Sequence, residues 1–147
     1  MSLWDWTLSV YDKSGVPQAC LRLQDEHGQN TSFLLWAVWA GGADPASLTL
    51  GAEISRDWET RVLGPVREVR RLLKANIPHI EDAGREGLRT DIKAAELRAE
   101  RLLMESLEKL CGRGGSLQTL AALQVAVLTW GRAASDSAVA ALAQAID

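Results

Sequence analysis

"DAGREGLRTDIKAAELRAERLLMESLEKL", residues 82–110, runs without a proline and repeats its apolar residues every three or four positions. Leu88, Ile92, Ala95, Ala99, Leu103, Ser106 and Leu110 form one line, which predicts a long amphipathic helix from about 82 to 110. A second long pattern precedes it, from about Thr49 to Ala75. Its stripe is Ile54, Trp58, Val62, Val66, Val69 and Leu73, and Gly64-Pro65 should bend it midway. "NIPHIED", residues 76–82, is a short turn, so the two long helices should lie antiparallel and form the spine of the fold.

The rest of the chain is helical in smaller pieces. Residues 3–12 are apolar on two faces, with Leu3, Trp6 and Val10 on one and Trp4, Leu8 and Tyr11 on the other. "SGVP", residues 14–17, breaks the chain, Pro17 suits the first turn of a second helix, and Gly28 stops it. Asn30 or Thr31 should cap "SFLLWAVWAGG", which is apolar on every side and therefore central. "GRGGS", residues 112–116, ends the long helix. Ser116 is expected to cap a helix reaching Trp130, and Ser135 or Asp136 to cap the last one. No run alternates as a half-buried strand does. The expected fold is all-α: a compact array of six to seven helices in a single helical domain, residues 1–147.

Composition excludes several function classes. A net charge of -3 weighs against general affinity for nucleic acid or an anionic membrane surface. The longest apolar stretches fall well short of the ~20 residues that span a bilayer. No basic residue precedes an apolar run at the N-terminus, so no secretory signal is expected. Cys20 and Cys111 stand alone, which fits reduced thiols and a cytoplasmic setting.

The charges of the long helices are more informative. Arg89, Lys93, Glu96 and Glu100 border the apolar face of the 82–110 helix, with two cations four apart and two anions four apart. Like charges at that spacing repel unless opposite charges come from elsewhere. Arg61, near the apolar side of its own helix, is the expected partner of Glu96 and Glu100. The network reads as a solvated flank, as architecture, or as the lining of a pocket for an anionic ligand. Arg67, Arg70, Arg71 and Lys74 form a compact basic stripe, either a solvated outer face or a contact for phosphates.

Metal and cofactor motifs are missing. Glu96 is followed three residues on by Ala99, not His, and His27 and His79 have no ligand partners at metal spacing. Phosphate-loop, dinucleotide, nucleophile-elbow and Cys–His patterns do not occur. No metal, no cofactor and no catalytic residue is expected. Trp36, Trp39, Trp58 and Trp130 lie on apolar faces and read as core, each indole N–H needing an acceptor. Trp4 and Trp6 cannot share one face. With Leu8 and Tyr11 they make a candidate docking surface for another protein.

Five blocks carry a resemblance: "LWDW" (3–6), "ACLRLQDEHG" (19–28), "FLLWAVW" (33–39), "RVLGPVREVRRLLK" (61–74) and "IKAAELRAERLL" (92–103). Together and in this order they resemble an uncharacterised, mostly proteobacterial family of small helical proteins of unknown function. Phe33 stands where that pattern would have Leu. The resemblance implies a helical fold and no assigned activity. Trp4, Trp6, Trp36, Arg61, Pro65, Arg70, Lys93, Glu96 and Glu100 match its most distinctive positions.

The functional expectation is a non-catalytic cytoplasmic adaptor or assembly helper, with another protein as partner and a homo-oligomer possible. The first alternative is an anionic-ligand-binding or catalytic protein using Arg61, Arg89, Lys93, Glu96 and Glu100. The second is an RNA- or phosphate-binding module using Arg67, Arg70, Arg71 and Lys74.

Overall fold

Polar side chains start most of the helices. Ser2, Asn30, Asp44, Glu81 and Ser135 each accept a hydrogen bond from the backbone N–H three residues on. Each satisfies a donor that the first turn leaves unpaired. They open α1 (Leu3–Tyr11), α3 (Thr31–Ala40), α4 (Pro45–Trp58), α6 (Asp82–Leu110) and α8 (Asp136–Ile146). Pro17 lies in the first turn of α2 (Val16–His27), and Gly131 ends α7 (Thr119–Trp130). These features come from a computed structural model that describes residues 1–147.

Two helix starts differ from expectation, and the first long helix ends at Leu72, three residues short of Ala75. The first long helix starts at Pro45, four residues before Thr49, because Asp44 caps it with Pro45 in its first turn. Ser116 caps nothing, and α7 begins at Thr119. The preceding loop is tied down: Gly115 N–H donates to the Ala40 carbonyl and Leu117 N–H to that of Gly41, both at 2.9 Å. The backbones approach so closely that a Cβ on Gly115 would lie 2.0 Å from the Gly41 carbonyl oxygen. Only glycine fits there.

α4 continues through a π turn (Glu59–Leu63) into α5 (Gly64–Leu72), giving one rod that lies antiparallel to α6. With that rod counted once, seven helical rods make up an all-helical fold without strands. α3 is its centre: Phe33, Leu34, Leu35 and Trp36 are sealed from water, and α1, α2, α4, α6 and α7 all touch it. Phe33 lies between Trp36 and Trp130, ring centres 5.9 and 5.7 Å away. Trp36, Trp58 and Trp130 donate to the carbonyls of Cys111, Ala99 and Gly28, while the buried Trp39 indole finds no acceptor.

The long helices bury the lines that their apolar spacing indicates only in part: Ala99, Leu103 and Leu73 are buried, and Ile54, Trp58, Val62 and Leu110 pack against the core. α6 buries Arg85, Ala99, Leu103, Met104 and Leu107, leaving Leu88, Ala95 and Ser106 exposed. On the opposing rod Leu63, Arg67 and Leu73 are buried while Val69 is exposed. Periodicity marks where apolar residues recur, but the contact line is set by which neighbours each rod meets. No helix is long and apolar enough to cross a membrane.

Candidate functional site

Pro65 has no backbone N–H, and its ring would crowd the carbonyl four residues back in a regular helix. The rod therefore widens for one turn, and the Gly64 N–H donates to the Glu59 carbonyl five residues earlier. A Cβ on Gly64 would lie 2.9 Å from that oxygen, so glycine belongs there. The wide turn resets which side chains of the rod meet α6. Arg61, the expected partner of Glu96 and Glu100, instead projects into water with 75% of its side chain exposed and pairs with Asp57 at 2.8 Å.

Arg67 and Arg70 occupy the inner position. Arg67 is buried; its Nη1 lies 2.6 Å from Glu59 and its Nε 3.5 Å from Glu96. Arg70 Nε donates to the other Glu96 oxygen at 2.5 Å. Burial works against the Arg67 charge, but the Glu59 hydrogen bond and the charges of Glu59, Glu96 and Glu100 outweigh it and strengthen its hold on the proton. Burial, followed by the adjacent Glu96 charge, pushes the Glu100 carboxyl up to about 7, although Arg67 and Arg70 pull the other way. Three carboxylates lie near two guanidinium groups, and Glu100 relieves the surplus negative charge by holding its proton more tightly.

The remaining candidates fall in several environments. Arg71 reaches Asp25 at 3.7 Å, and Lys74 is exposed without an ion pair, so the 67–74 stripe is divided between the interior and the surface. Lys93 is exposed, and the half-buried Arg89 has an Nε without a partner. Trp4 and Trp6 are half-buried against the core, with the Arg101 guanidinium 5.7 Å above the Trp4 ring. Leu8 is exposed. Tyr11 shows one edge to water while burial, then the Cys20 thiol and Glu100, push its hydroxyl well above the ordinary tyrosine range. Burial also pushes the Cys20 thiol up to about 11.

Beside the ion cluster lies a polar cleft of about 470 Å³. Arg56, Arg67, Arg71 and Arg132 line it, against only two carboxylates, Asp25 and Glu59. Arg56 stacks 4.9 Å over the Trp130 ring and donates to the Trp130 carbonyl at 2.9 Å. Arg132 lies across Gly28, whose φ of +61° suits glycine and where a Cβ would sit 2.7 Å from the guanidinium. The buried Gln29 amide donates to the Arg132 carbonyl at 2.8 Å, fixing the chain that carries this arginine. Asn30, the cap of α3, also lines the cleft, so the positive end of a helix opens onto it. Neither Arg56 nor Arg132 pairs with a carboxylate.

Sequence spacing misses Arg56, Glu59 and Arg132. The cleft is assembled from α2, α4, the π turn, α5 and the end of α7, far apart along the chain. The pairing of Arg56 with Trp130 leaves no local signal either, because the two stand 74 residues apart.

A family model described as "Protein of unknown function (DUF2390)" matches residues 2–107. No curated protein and no solved structure matches the chain. Trp130 and Arg132 lie beyond the matched span.

Proposed function

We propose, from the premise that this chain belongs to the DUF2390 family of proteins of unknown function, that its arginine cleft binds a small anion bearing phosphate or carboxylate groups. The observation that carries this reading is the pair Arg56 and Arg132, two cations without a carboxylate partner on the wall of one cleft. Forked guanidinium donors suit the two oxygens of a carboxylate or phosphate, and the α3 N-terminus adds partial positive charge. The overall charge of -3 favours a small ligand over a nucleic-acid backbone. Two unpaired cysteines fit a reducing, cytoplasmic setting for this binding.

The test is a thermal-shift titration of the whole chain with inorganic phosphate, pyrophosphate and citrate as probes. A saturable rise in Tm that Arg56→Ala or Arg132→Ala removes supports the reading. A flat response to all three probes overturns it.

An adaptor role is the second reading, favoured by Leu8 and Tyr11, which present apolar surface to water one turn apart on α1. Leu8→Asp should then abolish capture of a partner protein without lowering Tm. Partner capture that survives this substitution removes α1 from the reading.

A further inference from the structure

The outer flank of α6 carries a self-complementary pattern that nothing in the chain covers. Leu88, Ala95 and Leu102 stand seven residues apart, a spacing that keeps them on one side of the helix. Leu88 is 49% exposed, Leu102 is 48% exposed and Ala95 is open to water. At 100° per residue, this line is turned roughly 95° from the mean direction of the buried residues, so packing against α3 and α5 leaves it free. Just outside it stand Asp91 and Arg98, both exposed. Neither pairs with a charge of its own chain, whereas Arg101, one turn on from Arg98, pairs with Glu105.

The pattern is symmetric about Ala95. Leu88 and Leu102 lie equally far to either side, and Asp91, four residues before, and Arg98, three after, flank the centre with opposite signs to within one residue of the same symmetry. Such an arrangement matches itself when a second helix is laid across it in the reverse direction. We propose that α6 forms the seam of a homodimer in which two copies cross antiparallel at Ala95. Leu88 then packs on Leu102 of the partner subunit, and Asp91 pairs with Arg98 of the partner subunit. A foreign partner would have no need of this internal symmetry; a second copy requires it.

The remaining features suit the same occupant. The small Ala95 side chain lets two helices approach closely at the crossing. The Leu88–Leu102 span is about 21 Å long at 1.5 Å per residue, and Ile54 and Trp58, lining a groove with Leu102, widen its apolar surface. Interfaces of standard size bury about 800 Å² per partner, so the α4 side chains and the α6 line must both take part. None of the seam residues lines the arginine cleft, so failure of either proposal leaves the other standing.

The test is the mass of the full chain in solution, by sedimentation velocity over a concentration series. The wild-type chain should reach twice its 16.0 kDa mass. Ala95→Glu places two like charges on the axis and should give a monomer with unchanged far-ultraviolet circular dichroism. Asp91→Arg and Arg98→Asp should each weaken the dimer about tenfold or more, because each leaves like charges facing across the seam twice. The double variant Asp91→Arg/Arg98→Asp should recover the dimer. A wild-type chain that stays monomeric at every concentration, or a dimer that survives folded Ala95→Glu, overturns the proposal. A double variant that fails to recover the dimer overturns the antiparallel arrangement, and this comparison holds even if Ala95→Glu does not fold.

Discussion

The Trp58 indole N–H donates to the carbonyl of Ala99 at 2.9 Å, joining the end of α4 to the middle of α6. That carbonyl already belongs to the α6 backbone, so the bond holds the two spine helices at a fixed level without a charge. Trp58→Phe keeps most of the packing and removes the donor. It should lower stability by about 1 kcal/mol, the usual net worth of such a bond, as measured by urea unfolding.

Arg67 and Arg61 should respond very differently to the same truncation. Arg67→Ala strands Glu59 and part of Glu96 beside Glu100 in a half-buried cluster, and should cost about 3 kcal/mol. Arg61→Ala removes one exposed pair with Asp57 and should stay within about 0.5 kcal/mol. Chemical unfolding of the two variants side by side checks the assignment of the inner arginine.

The helix ends are legible in the sequence because Asn30, Ser135, Pro17 and Gly131 act locally, through one hydrogen bond or one fixed dihedral. α3 is legible as the centre because a segment apolar on all sides has nowhere else to go. The inner arginine is not legible. Counting regular turns past Gly64-Pro65 carries the wrong phase, since the π turn adds a residue that no apolar repeat records. The cleft is hidden for another reason: Arg56 and Arg132 meet only after α4 and α7 have both packed on α3.

Glu100 gives the protein a pH dependence of definite sign. Its carboxyl is pushed from the ordinary value to about 7, so between about pH 4.5 and 7 the folded chain holds a proton that the unfolded chain has released. Its contribution to stability is therefore fully present below that window and lost as pH rises through it. Glu100→Gln keeps the neutral shape. It should be more stable than wild type by about 3 kcal/mol at pH 8, with the gap closing near pH 4.5, as followed by unfolding at a series of pH values.

Gly64→Ala sets helix propensity against space. Alanine is the better helix former by about 1 kcal/mol, so in a regular helix the change would stabilise. Here the new methyl meets the Glu59 carbonyl oxygen at 2.9 Å, and the wide turn must shift. A net loss of about 1–2 kcal/mol is expected from the overpacking, read as a lower Tm.

Gly28→Ala should act on the cleft as well as on stability. A left-handed backbone and an overlying guanidinium both reject the methyl, so Arg132 must swing away. Phosphate should bind more weakly to this variant than to wild type in calorimetric titration, in the same direction as Arg132→Ala.

The widened turn before Pro65 also acts as a gear offset within a single rod. Upstream of it, α4 offers Ser55 and Ala52 to the interior; downstream, Arg67 of α5 and Leu73 at its end turn inward. One uninterrupted length of chain thereby serves an oily neighbour at one end and an ionic one at the other. A relative lacking the Gly-Pro step would keep its rod in phase, carry the wrong arginine toward α6, and need a different means of balancing Glu96.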